Sequence, residues 1–107
     1  MSKLSDQFSL GLPLEDASWA CKEAVTNIGW NVGSLEENRI VPKVGVGISR
    51  NPSKVEILLE PEGGSSARIV LNGQITGFGP IQKRHLMGEI NRLRNAIEVE
   101  ANSSKDD

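Results

Sequence analysis

A chain of 107 residues is long enough for one hydrophobic core and too short for two, so the sequence predicts a single domain. Its 37% hydrophobic and 24% charged residues are typical of a globular protein and exclude a wholly disordered one. The formal net charge of −2 argues against a nucleic-acid partner, because no overall positive field would attract a phosphate backbone.

The sequence also limits location and chemistry. No apolar run is long enough to span a membrane, and the opening residues lack the apolar stretch of a signal peptide, so a cytoplasmic protein without a membrane contact is expected. One cysteine, Cys21, and one histidine, His85, are too few for a structural metal site. Cys21 falls on the apolar face of a helical pattern, which predicts a buried core thiol. His85 is predicted to lie on the surface. We assign no catalytic residue, no cofactor and no enzyme activity.

Polar, unpatterned residues at the two ends, 1–6 and 101–107, are predicted to be disordered. The segment between them, 7–100, is patterned throughout and predicts one α+β domain with the order strand, helix, four strands, helix. The predicted bounds of these elements are 7–13, 14–28, 30–35, 39–49, 54–62, 67–75 and 80–99.

Alternation of apolar and polar residues in the strand segments predicts an antiparallel sheet with one buried and one solvent-exposed face. The buried face is assigned to Val55, Ile57, Leu59, Ile69, Leu71 and Ile75. The exposed face is assigned to Val41, Lys43, Glu56, Leu58, Glu60, Arg68, Val70, Asn72 and Gln74. The last helix is predicted to be the longest and to cover the buried face with a stripe formed by Leu86, Ile90, Leu93 and Ile97.

The order of elements resembles the TATA-binding-protein-like arrangement and the helix-grip fold of START and Bet v 1-like proteins, in which a curved antiparallel sheet wraps a long C-terminal helix. The opening "LPLEDASWACKEAVTNIGWNV" is similar to the N-terminus of small, largely uncharacterised bacterial domains of that group. The resemblance covers Gln7 to Val99. It implies the fold and carries over no catalytic residue. The chain lacks the extra strand pair that enlarges the ligand cavity of a full helix-grip domain, so a large internal pocket is not expected.

Three hypotheses about function follow. The first is a non-catalytic interaction domain that contacts another protein or a second copy of itself. Its contact residues would be apolar or small residues at positions where polar ones are expected. These residues are Trp19, Val41, Leu58, Val70 and Gly88. For Trp19, packing against the first strand or the chain end is the alternative, and for the sheet residues a solvated face is the alternative.

The second hypothesis is an apolar-ligand domain with a pocket between the sheet and the last helix. The pocket would be lined by Val46, Ile57, Leu71, Phe78, Leu86 and Ile90. Size argues against it, because a small domain needs most of its apolar side chains for its own core.

The third hypothesis is a weak anion site at the start of the last helix, where unpaired backbone N–H groups are available. Its residues would be Gly77, Gly79, Lys83 and Arg84. The alternative is a structural corner, since "GFGP" lacks the glycine spacing of a phosphate-binding loop.

Overall fold

The computed structural model describes residues 2–36, 38–43, 53–75 and 80–105. The elements in these ranges are β1 (Ser2–Leu10), α1 (Leu14–Asn27), β2 (Asn31–Glu36), β3 (Arg39–Lys43), β4 (Ser53–Pro61), β5 (Ala67–Ile75) and α2 (Pro80–Lys105). The strands form one antiparallel sheet in the order β1-β5-β4-β3-β2. This arrangement confirms the predicted α+β class and the predicted order of elements.

The first strand begins earlier than the sequence pattern predicts, because all of it pairs with β5. Every residue from Ser2 to Leu10 has a partner in β5. Residues 2–6, which the sequence analysis assigned to a disordered end, therefore belong to the sheet, and Leu4 packs partly against the core. Leu12 lies beyond the end of the strand but is still buried.

The helices also end at slightly different residues from those predicted. α1 stops at Asn27, and Gly29 follows with a φ of 89°, a left-handed conformation that glycine adopts without strain. α2 is 26 residues long and continues to Lys105, past the predicted end at Val99. The extension has a packing reason, since the small side chain of Ala101 is buried and continues the apolar stripe by one more turn.

Both helices pack on one face of the sheet and on each other. α2 contacts β1 and β5, and α1 contacts β4 and β2. The buried face predicted for β4 and β5 is confirmed, and so is the stripe of α2. The fully buried large side chains include Ile40, Val55, Ile57, Leu59, Ile69, Leu71, Ile75, Leu86, Leu93 and Ile97.

Gly73 interrupts the row of large inward side chains in β5, and α2 fills the space that a side chain there would occupy. A Cβ atom built on Gly73 would lie 2.8 Å from Cδ1 of Ile90 and 2.9 Å from Cδ1 of Leu86. Both distances are shorter than Cβ contacts in real proteins, so two side chains of the helix rest directly on the backbone of the strand. Helix and sheet are therefore in contact at this position.

Candidate functional site

The face of the sheet that points away from the helices carries its side chains in rows that cross several strands. One row joins Gln7 of β1, Val70 of β5, Leu58 of β4 and Arg39 of β3, which are successive strand partners. Leu58 and Val70 are half-buried and lie side by side at the centre of the row. The centre of this outer face is therefore apolar, with a polar side chain on either side.

The neighbouring row, formed by Ser5, Asn72 and Glu56, is a hydrogen-bonded network that Arg39 of the first row joins from β3. Ser5 Oγ donates to Asn72 Oδ1 at 2.8 Å, and Asn72 Nδ2 donates to Glu56 Oε1 at 3.2 Å. Arg39 Nε donates to Glu56 Oε2 at 2.6 Å. The hydrogen bond from Arg39, followed by that from Asn72, lowers the pKa of Glu56 and keeps it ionised. These contacts fix the side chains in place and neutralise the carboxylate within the sheet.

A depression of about 530 Å³ lies over this network and the adjoining row of the same face. Its lining includes Lys3, Ser5, Arg39, Val41, Lys54, Glu56, Asn72 and Gln74. Most of the lining residues are polar, and Leu4, Val41, Val55 and Gly73 contribute apolar surface. The depression gives the outer face a concave region that side chains of another molecule could enter.

The two ends of the outer face differ in charge. At one end Lys3 and Lys54 both lie beside Gln74, and within the described residues neither lysine side chain has a hydrogen-bond or ion-pair partner. At the other end Glu60 lies beside Arg68, and Arg68 Nε donates to Glu62 Oε2 at 3.1 Å. Among the side chains that the structure describes, one end therefore carries two positive charges, while the other carries two carboxylates and one guanidinium.

The structure brings together three of the five predicted contact residues. Val41, Leu58 and Val70 all lie on the outer face, as predicted, whereas Trp19 is on α1 and Gly88 on α2. Trp19 is 48% exposed. Among the described residues, no atom outside its own helix backbone and chain neighbours lies within 4 Å of a Cβ built on Gly88, so no close approach seen there explains the glycine.

The residues predicted to line a pocket are packed in the core wherever the structure describes them. Ile57, Leu71 and Leu86 are fully buried and Ile90 nearly so, and all belong to one apolar cluster. The other two members of that set, Val46 and Phe78, lie outside the described residues. No polar or charged side chain is buried in the described part of the chain, so the interior there is wholly apolar.

The predicted anion site is only partly described. Gly77 and Gly79 lie outside the described residues, and Lys83 and Arg84 are exposed in the first turns of α2. His85, as predicted, is at the surface, where its Nε2 lies 2.6 Å from Glu89 Oε1.

Burial raises the pKa of the Cys21 thiol to about 12, in line with the predicted core position. Among the residues that the structure describes, no group of three or more histidine, cysteine, aspartate or glutamate side chains could hold a metal ion. Within that same part of the chain, neither helix is long and apolar enough to cross a membrane.

A second groove, of about 470 Å³, lies between β1 and the C-terminal half of α2, and the sequence did not predict it. Arg94 sits over it: its guanidinium lies 4.8 Å from the ring centroid of Phe8, and its Nη1 is 2.9 Å from Asp6 Oδ2. Its Nε lies 2.9 Å from Glu98 Oε1. Asp6 also accepts a hydrogen bond from the backbone N–H of Gln7. Polar side chains on the edge strand and the helix are thus already paired with each other.

The sequence matches no known family model and no curated protein sequence. Solved structures, in contrast, match the fold of this chain over nearly its whole length. A protein from Nitrosospira multiformis is 9% identical, with a TM-score of 0.72 over 99% of this chain and 100% of that one. A START superfamily protein from Mycobacterium smegmatis is 12% identical, with a TM-score of 0.61 over 94% and 97%.

A protein from Thermus thermophilus is 15% identical, with a TM-score of 0.60 over 96% of this chain and 99% of that one. At such low identities the similarity shows the fold alone. It agrees with the geometry described above, in which a five-stranded antiparallel sheet packs one face on a long C-terminal helix. The chain therefore has the helix-grip fold of START and Bet v 1-like proteins.

Proposed function

We propose that this protein is a non-catalytic interaction domain that binds protein through the outer face of its sheet. The supporting observation is the pair Leu58 and Val70, which lies at the centre of that face although neither helix covers it. An apolar centre with a polar rim is the usual composition of a protein contact surface. The hydrogen-bonded row beside the pair is already fixed, so little side-chain freedom would be lost on binding.

The most direct test is self-association, because a second copy is a partner that can always be supplied. Sedimentation equilibrium of the wild type from about 10 µM to 1 mM should show a reversible dimer. Replacing Leu58 by glutamate should raise the dissociation constant at least about tenfold, because a charge would be buried at the centre of the contact. Val99→Glu is the matched control, since Val99 is 62% exposed on α2.

Two results would contradict the proposal. One is a wild type that stays monomeric at 1 mM. The other is a dimer that Leu58→Glu leaves intact while Val99→Glu disrupts it, which would move the contact to the helical layer. Circular dichroism of both variants should match the wild type, so that loss of association is not loss of folding.

A second candidate function is the binding of a small apolar ligand between the sheet and α2. It is supported by the helix-grip fold and by the wholly apolar interior of the described residues. The contact of Leu86 and Ile90 with the backbone at Gly73 argues against space for a ligand at that position. Titration with dodecanoate, followed by methyl NMR of those two side chains, distinguishes the candidates: saturable shifts favour a ligand, and unchanged methyl signals favour the interaction domain.

A further inference from the structure

We infer that the partner is a second copy of this chain, stacked face to face about a two-fold axis that runs across the strands. This inference rests on the proposed function and specifies its geometry. Face-to-face contact between identical surfaces requires the axis to lie in the plane of the interface. The axis could run along the strands or across them, and the charges of the outer face decide between these orientations.

An axis along the strands would place like ends of the two faces together. Lys3 and Lys54 of one copy would then face the same lysines of the other, an unfavourable contact. An axis across the strands places the lysine end of one copy on the end of the other that carries Glu60, Glu62 and Arg68, whose net charge is negative. Only this second orientation brings opposite charges together at both ends of the contact.

The strand register shows where such an axis would lie. On β4 the residue midway between Lys54 and Glu60 is Ile57, and its partners in the sheet are Leu71 on β5 and Ile40 on β3. An axis above this row therefore stacks Lys54 of one copy on Glu60 of the other. Leu58 of each copy then lies about 3.4 Å from the axis along the strand and stacks on the network row of the other copy, over Glu56.

The depression on the outer face fits the same arrangement. It covers the lysine end, which would receive the Glu60 row of the second copy, and the network row, which would receive its Leu58 row. Glu56 does not oppose the contact, because Arg39 and Asn72 of its own copy already bind both of its oxygens. Two sheets stacked in this way would have nearly aligned strands about 10 Å apart, as in other sheet-on-sheet packings.

The surface area that this contact would bury predicts a weak dimer. Four strands about 4.8 Å apart and four rows about 6.7 Å apart, with their side chains, cover roughly 500 Å² of each copy. The total of about 1,000 Å² is at the lower limit of specific protein interfaces, where association is usually transient. Measurements should therefore extend to hundreds of micromolar protein.

Charge reversal tests the register. Lys54→Glu alone and Glu60→Lys alone should each raise the dissociation constant of the homodimer about tenfold or more, because the two-fold axis repeats the repulsion at both ends. An equimolar mixture of the two variants should associate as tightly as the wild type within about threefold, since each end of the contact then pairs a carboxylate of one variant with an ammonium group of the other. Neither native side chain has a hydrogen-bond or ion-pair partner among the described residues, so both variants should fold.

An attraction between Lys54 and Glu60 of the same copy cannot produce the recovery expected for the mixture. Lys54 and Glu60 are six residues apart on one strand, about 20 Å, which exceeds the screening length of about 8 Å at physiological ionic strength. Lys83→Glu on α2 is the control for an overall change in charge and should leave the dissociation constant unchanged within about twofold.

Sedimentation equilibrium and native mass spectrometry of the mixture, with one variant labelled with ¹⁵N, would show the heterodimer directly. A mixture that stays as weakly associated as the single variants would overturn the inferred register. If Leu58→Glu still disrupts the wild-type dimer in that case, the proposed function stands and only the two-fold arrangement fails. A wild type that is monomeric at 1 mM would overturn both.

Discussion

Replacing Gly73 by alanine tests whether α2 rests directly on the sheet or leaves room for a ligand. The new Cβ atom would meet Cδ1 of Ile90 at 2.8 Å and Cδ1 of Leu86 at 2.9 Å, so both side chains would have to move. Both are buried in the core, at 3% and 0% exposure, and have little free space to enter.

The expected magnitude follows from two opposing effects. Overpacking of this kind costs about 1–3 kcal/mol. Replacing a strand glycine by alanine recovers about 0.5–1 kcal/mol of unfolded-state entropy. The free energy of unfolding should therefore fall by about 1 kcal/mol, within a range of roughly 0–2.5 kcal/mol. Urea titration followed by circular dichroism would measure it.

Two further variants make the test specific. Ile90→Val removes the Cδ1 atom that lies nearest to the new methyl group, so the double variant should be more stable than the sum of the single effects by about 0.5 kcal/mol or more. Gly88→Ala is the matched control, because a Cβ there meets no atom within 4 Å and alanine should stabilise the helix by about 1 kcal/mol. A Gly73→Ala variant as stable as the wild type, with additive Ile90→Val, would mean that the space between β5 and α2 is open.

Three other variants and probes examine the core and the outer face. Leu93→Ala should lower the free energy of unfolding by about 2–5 kcal/mol, because Leu93 is fully buried; a loss below about 0.5 kcal/mol would contradict that position. Cys21, whose pKa burial raises to about 12, should react with a disulfide reagent at pH 8 only in denaturant; prompt labelling of the folded protein would be inconsistent with its burial. The lowered pKa of Glu56 means that its carboxylate stabilises the fold at neutral pH and loses this effect as the pH falls below about 4.3 and through the folded value. The stability difference between wild type and Glu56→Gln should therefore shrink from pH 7 to pH 3, and a constant difference would argue against the Arg39 contact as its cause.

Much of the fold could be predicted from the sequence because its pattern is local. Alternation along β4 and β5 identifies their buried faces, and steps of three and four identify the stripe of α2. The start of β1 could not be predicted in this way. Asp6 breaks the apolar alternation, and its charge is compensated by Arg94, which is 88 residues away in the sequence.

The candidate site was predictable only in part, because its hydrogen bonds join residues that are far apart in the sequence. Val41, Leu58 and Val70 could be placed on one face from alternation alone. The network that accompanies them depends on the register of four strands: Ser5 and Asn72 are 67 residues apart, and Arg39 and Glu56 are 17 apart. Gly73 carried a usable indication, since a glycine inside a strand often marks close approach by another element.

Concentration-dependent amide NMR shifts would test most directly whether the outer face of the sheet is the contact surface. Spectra of the ¹⁵N-labelled wild type from 20 µM to 1 mM should show shifts that concentrate in β4 and β5, at Leu58, Val70 and their neighbours in the same rows. Trp19 on α1 and Val99 on α2 should not shift. Dilution shifts confined to the helices, or none at 1 mM, would contradict the proposed interaction surface.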